Sequence, residues 1–199
     1  MTKQRSVLFW AGLAVVLGIP LFAAITSPLL QWRQPIYIVA GFAGVLALCL
    51  LFVQPLAIGR YLPNVDPIRS RVIHRLIGIL LLMLVIIHVG GLWMTSPPDV
   101  IDALLFRSPT PFSVWGVIAM WCVFATVLLA LLRRRLRIKH HLWQRLHTGL
   151  ALVIIAGTVA HAMLIEGTME TWSKAALAIL AIIATLKVII DLRVWSSRK

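Results

Sequence analysis

Acidic side chains are scarce in this 199-residue chain: six Asp and Glu stand against 19 Lys and Arg, and charged residues of both signs make up only 13%. An ordinary soluble domain carries roughly a quarter charged residues, so a water-exposed globule is excluded. Cysteine is scarcer still. Cys49 and Cys122 each lie inside an apolar run, which excludes a disulfide scaffold and a cysteine metal site with its usual close ligand spacing; both read as small hydrophobes. Internal repeats, low-complexity tracts and any G-x-G-x-x-G or similar phosphate-cradling loop are also missing from these residues.

What is present is apolar. Hydrophobic residues amount to 61%, with a mean hydropathy of +0.97, and they gather into six runs at about 7–26, 36–53, 74–94, 112–132, 146–165 and 172–190. Each approaches the about 20 residues that a helix needs to cross the hydrocarbon layer. An open sheet leaves its backbone unpaired in lipid, and the runs lack the alternation of a barrel strand. The expected fold class is all-α: a polytopic membrane protein whose six transmembrane helices form one bundle, a single domain over residues 1–199. The first run is longer than the apolar segment of a signal peptide and no A-x-A cleavage site follows, so it counts as a true span. Pro20 is expected to kink it, and the other prolines, Pro55, Pro97 and Pro98 among them, fall at span ends or in loops.

Orientation follows from the short loops, since Lys and Arg are retained on the cytoplasmic side. Lys3, Arg5, Arg60, Arg69, Arg71, Arg75, Arg133, Arg134, Arg135, Arg137, Lys139, Arg145, Arg193, Arg198 and Lys199 fall on one side, against Arg33, Arg107 and Lys174 on the other. Both termini are therefore expected in the cytoplasm, with Lys187 snorkelling to the same side. The net charge of +13 is thus mostly topological, so the expected partner is a lipid bilayer and no nucleic acid. Trp32, Trp93, Trp115 and Trp172 fall near the outer boundary and Trp10, Trp143 and Trp195 near the inner one, as amphipathic rings do. Trp121 alone lies deep and reads as a packing residue.

Ionisable groups inside a span are costly and mark function by default; here they are histidines. His74 and His88 are 14 residues apart on the third run, and His147 and His161 are 14 apart on the fifth. Fourteen steps of 100° come within about 40° of four full turns, so each pair shares a helix face. Third and fifth spans run in the same direction, which sets the four as two level pairs about 21 Å apart along the helices. A single zinc or copper site needs its ligands clustered, and a proton relay would bring carboxylates into the spans, where none occur. Two haems held by paired imidazoles fit better, because stacked irons provide an electron path across an insulating layer. Gly78, Gly90, Gly91, Gly149 and Gly157 lie near the histidines and would let a flat macrocycle approach the backbone. Arg75, Arg71 and Arg145 flank the inner pair as forked donors for haem propionates, although retention of positive charge on the inner side explains them equally. On the outer side Arg107 and Lys174 are the candidates. His140 and His141 belong to the basic loop before the fifth span and read as solvated.

The segments HRLIGILLLMLVIIH, from His74 to His88, and WQRLHTGLALVIIAGTVAH, from Trp143 to His161, resemble the ferric reductase-like transmembrane domain shared by ferric-chelate reductases, NADPH oxidases and the MsrQ haem subunit. The resemblance spans roughly His74 to Ile190. It implies two b-type haems, with one as the lesser count, whose iron ligands are His74 with His147 at the inner level and His88 with His161 at the outer. Family oxidases and reductases usually continue into flavin and nicotinamide domains. This sequence runs nine residues past Ile190, so flavin is expected only through a partner. MsrQ-like subunits also lack those domains and are similar around WQRLH, but their third helix lacks an equivalent of His74, which makes a stand-alone cytochrome the first reading and the MsrQ type the second.

The function these observations imply is an oxidoreductase component of a multi-pass membrane, a bacterial inner membrane by preference. It would take electrons from a cytoplasmic flavoprotein or quinol and pass them to ferric iron, oxygen or a periplasmic protein. The reading from another class is a non-redox membrane scaffold or transporter subunit whose histidines only pack or bind metal.

Overall fold

The computed structural model describes residues 2–193; Trp195, Arg198 and Lys199, placed above at the cytoplasmic end, lie outside the described residues. Seven helices follow in order: α1 (Lys3–Ile25), α2 (Pro35–Ile58), α3 (Pro67–Thr95), α4 (Pro97–Leu104), α5 (Ser113–Leu132), α6 (His140–Leu164) and α7 (Thr171–Asp191), with no strand among the described residues. All but α4 are long and apolar enough to cross a membrane, so the chain is an all-α, multi-pass membrane protein. The helices outrun the apolar runs where polar residues can start them. A proline opens α2, α3 and α4, a position where its missing N–H costs nothing and its fixed φ suits the helix. Asp66 caps α3 by accepting from the amides of Ile68 and Arg69 at 2.9 and 3.0 Å, and Glu170 caps α7 through those of Trp172 and Ser173 at 2.9 and 3.0 Å.

Two expectations about proline are corrected. Pro97 and Pro98 begin the short helix α4 rather than a loop, and Pro55 lies buried inside α2, which continues to Ile58. Pro20 is inside α1 as expected.

Alternating spans collect the starts of α1, α3 and α6 and the ends of α2, α5 and α7 at one end of the bundle; because it holds Arg60, Arg71, Arg75 and Arg133 to Arg137, it is called the basic end below. Helix α2 packs along α3 and α7, α5 packs along α6, and α6 closes onto α7, with α1 laid against α7 and α2. The core lies where α2 and α7 meet, built from Val45, Leu48, Cys49 and Phe52 against Leu177, Ala181 and Ala184, with Ala24 of α1 and Ile155 of α6. Small residues, Cys49 on α2 and Ala181 and Ala184 on α7, let this contact close for a physical reason. Lipid tails are as apolar as leucine, so helices in a bilayer associate through close van der Waals approach, which small residues permit. The large side chains turn outward instead, Phe22, Leu131 and Ile190 among them. Trp121 is one of these: it is 54% exposed, with its ring edge to face against Phe124, so it lies on the outer surface and not in the core. Lys187 does more than snorkel, since it pairs with Asp191 at 2.9 Å, and Asp191 also accepts from the Tyr61 hydroxyl.

The backbone amides held by Asp66 and Glu170 keep both carboxyl groups below the usual carboxylate range, those of Arg69 and Ser173 contributing most. A carboxyl depressed in the folded state stabilises above its unfolded pKa and loses that contribution as pH falls through the folded value. Replacing both residues by Ala should therefore lower the melting temperature in detergent near neutral pH, while wild type and variant should converge well below the carboxylate range.

Candidate functional site

Between the α2–α3 pair and the α5–α6 pair runs a cavity of about 2340 Å³ that reaches from Arg33 and Tyr37 at one end to Arg60, Arg133 and Arg137 at the basic end. Ordinary small-molecule pockets occupy roughly 300–1,000 Å³, so this one has room for more than one large ligand. All four span histidines line it. As the 14-residue spacing predicts, they face each other across it in two levels: the rings of His74 and His147 are 6.1 Å apart between centres, and those of His88 and His161 are 6.3 Å apart.

Three of the four rings are tied to a neighbouring helix. His88 Nδ1 lies 2.7 Å from the carbonyl oxygen of Ala40, His161 Nδ1 2.9 Å from that of Phe112, and His74 Nδ1 3.2 Å from that of Gln54. A carbonyl only accepts, so each of these Nδ1 atoms carries the ring proton and donates it. The tautomer is thereby set, and Nε2 keeps a bare lone pair.

The tightest two tethers depend on glycine. A helical side chain leans toward the N-terminus and covers the preceding turn, including the carbonyl four residues back. Four residues after Ala40 stands Gly44, and four after Phe112 stands Gly116. A Cβ at Gly44 would sit 3.1 Å from His88 Nδ1, and one at Gly116 only 2.6 Å from His161 Nδ1. The missing side chains are what open those carbonyls. Of the glycines singled out from the sequence, Gly91 and Gly157 instead serve helix contact, against Ala40 and against Trp115 and Ala119. Gly78 borders Gln54, and Gly90 and Gly149 have nothing within 4 Å. Of these five Gly78 alone lines the cavity; Gly44 and Gly116 are found by matched depth on the adjacent span.

His147 is the exception. Its Nδ1 is buried without a hydrogen-bond partner among the described residues, as are Trp143 Nε1 and Gln54 Oε1. All three belong to residues that line the basic end of the cavity, and the atoms themselves are covered by protein. Trp143, read above as a headgroup-level ring, is stacked on His147 with centres 5.1 Å apart and planes at 20°. His140 is exposed but engaged, accepting from Arg133 at 3.0 Å, whereas His141 is exposed as expected.

The candidate anion partners divide. Arg71 and Arg75 line the cavity at the level of His74, together with Arg60, Arg133, Arg134 and Arg137, whereas Arg145 is exposed and off the lining. At the far end Arg107 is likewise exposed and off the lining; Arg33 takes its place beside Lys174. Lys174 is only 5% exposed, with its ammonium donating to the Ile165 carbonyl at 2.8 Å.

A test of what such a site holds follows from its donor set. Among the described residues no three His, Cys, Asp or Glu converge on one point, so a tetrahedral protein-ligated ion does not fit. A metal between two imidazole nitrogens at about 2.0–2.1 Å from each sets the ring centres about 6 Å apart, which both pairs match. The residues present would fit a group that carries its own metal and needs only the two imidazoles of one level from the protein, as haem does.

Residues 40–158, well over half of the chain, match the family described as ferric reductase like transmembrane component. The chain belongs to that family. Membership makes it a membrane redox component, and the matched region contains His74, His88 and His147 and ends three residues before His161. Comparison with curated proteins and with solved structures returns no match for either.

Because a Cβ at Gly116 overlaps His161, Gly116→Ala should displace that ring from Phe112, and any metal-bearing group that His88 and His161 would hold should bind about 10–100-fold more weakly, as loss of an outer-shell partner costs a metal site. Gly149→Ala, with open space around it, should be silent in the same titration.

Proposed function

We propose that the chain is a transmembrane b-type cytochrome that carries electrons one at a time across the hydrocarbon layer on two bis-histidine haems. The observation that carries this reading is the pair of levels at which half-buried imidazoles face each other 6.1 and 6.3 Å apart across one cavity. His74 with His147 would hold the haem at the basic end, and His88 with His161 the other. The tethered Nδ1 atoms keep Nε2 deprotonated and aimed for ligation. Arg71 and Arg75, which line the cavity beside His74, supply forked donors for carboxylate side arms, and Arg33 and Lys174 offer cations at the far level. The surrounding apolar helices exclude water, which keeps charge on the metal from being screened.

The arginine-rich end faces the cytoplasm in this reading, because positive loops are retained there. Electrons then arrive at the His74 and His147 level from a flavoprotein or quinol and leave at the His88 and His161 level to ferric iron, oxygen or a periplasmic protein. An acidic donor would be drawn by Arg133 to Lys139, an attraction that salt screens.

Haem quantification and dithionite-reduced minus oxidised spectra test the proposal. The purified chain should carry two haems; His88→Ala or His161→Ala should remove one and leave the His74 and His147 site loaded. Equal loss of both haems in folded protein would contradict separate sites, and a colourless wild-type chain would return the histidines to packing roles in a scaffold.

A further inference from the structure

Three of the four candidate ligands share one supporting device and the fourth lacks it. His74, His88 and His161 each give Nδ1–H to a backbone carbonyl, while His147 Nδ1 is buried with no partner among the described residues. A hydrogen bond fixes an imidazole's plane, position and tautomer together. Something else must hold His147. Among the described residues the aromatic contact it makes besides His74 is with Trp143, one helical turn earlier on α6, at 5.1 Å between centres and 20° between planes. Residues four apart on a helix lie one above the other, so the indole sits directly beneath the imidazole.

The indole is in turn covered from the loop between α5 and α6. The Arg133 guanidinium lies 4.3 Å from the Trp143 ring centre, a cation–π contact. His140 stacks on the same indole with planes at 17°, and Arg133 donates to His140 Nδ1 at 3.0 Å. Trp143 is thus clamped between His147 and a bonded Arg133–His140 pair, all from residues at the basic end.

We infer that Trp143 is the positioning residue of His147, replacing by stacking the carbonyl tether that orients the other three histidines. Stacking holds the ring plane but takes no proton from Nδ1, so it leaves the imidazole less basic than one that donates to a carbonyl. The two haem levels are therefore unequal: the level at the basic end has one ligand whose support is lateral and reaches the loop, whereas both ligands at the other level are tethered to backbone. The inference rests on the bis-histidine reading proposed above.

Trp143→Leu and Trp143→Phe in the full chain, purified with haem, test it. The readouts are haem per chain, the low-spin ferric resonance of each haem and the midpoint potential of each, with the His88 and His161 level serving as the internal measure of folding. Trp143→Leu should weaken the haem at the His74 and His147 level by about 10–100-fold and shift or abolish its resonance, leaving the other unchanged. Trp143→Phe, which keeps a stacking face, should retain both haems. Where the leucine variant does not accumulate, Arg133→Ala should shift the same single resonance. Unchanged resonance and potential in these variants would overturn the inference while leaving the haem reading intact; a wild-type chain without haem would overturn both.

Discussion

An imidazole inside a hydrocarbon layer has two nitrogens to satisfy and no water with which to do it. This constraint organises the bundle. An unpaired polar group in such surroundings costs several kcal/mol, so each span histidine needs a partner for Nδ1 and another for Nε2. Helices α2 and α5 answer the first need for three of the four with backbone carbonyls from Ala40, Gln54 and Phe112, and His147 is left to stacking on Trp143. The second is left to the cavity, and the four histidines that line it define what it takes. The helices with the histidines are consequently not the only functional ones: α2 and α5 act by exposing oxygen atoms, and glycine at the next turn is the means.

The same requirement shows how packing and chemistry share the chain. Apolar contacts between α2 and the alanine-bearing face of α7 hold the bundle together on one side, which frees the side between α3 and α6 to remain open. Closing that space with large side chains would improve van der Waals contact and remove the site. The cations follow a similar division. Most of the arginines collect at one end, where several line the cavity mouth, while at the other end a single buried lysine held by the Ile165 carbonyl and Arg33 serve the same space.

Much of this was legible in the sequence because two periodicities coincide. Apolar runs of membrane-spanning length marked all six spans, and the repeated 14-residue spacing set His74 level with His147 and His88 level with His161 before any coordinates. Boundaries were less legible, since Asp66, Glu170 and the opening prolines extend helices past the apolar region or, at Pro97, start one that no apolar run announces. The supporting residues were legible least. Gly44, Gly116 and the carbonyls they uncover lie on helices other than those of the histidines they serve, and no pattern within one span reveals a contact between two. A tryptophan near a span end has an ordinary place at the headgroups, and no pattern in the sequence shows that Trp143 also stacks on His147. Arg145, expected beside the inner pair, lies off the cavity lining although its neighbour Gln144 is on it, since successive residues of a helix point about 100° apart.

The central claim is that one chain holds two metal centres stacked along the bundle at the levels of its two histidine pairs. A pulsed electron paramagnetic resonance measurement of the distance between ferric centres in the oxidised protein tests it most directly. Fourteen residues of helix at 1.5 Å each predict a single separation near ~21 Å. A lone ferric centre with no partner, or a separation far from that helix length, would contradict the account.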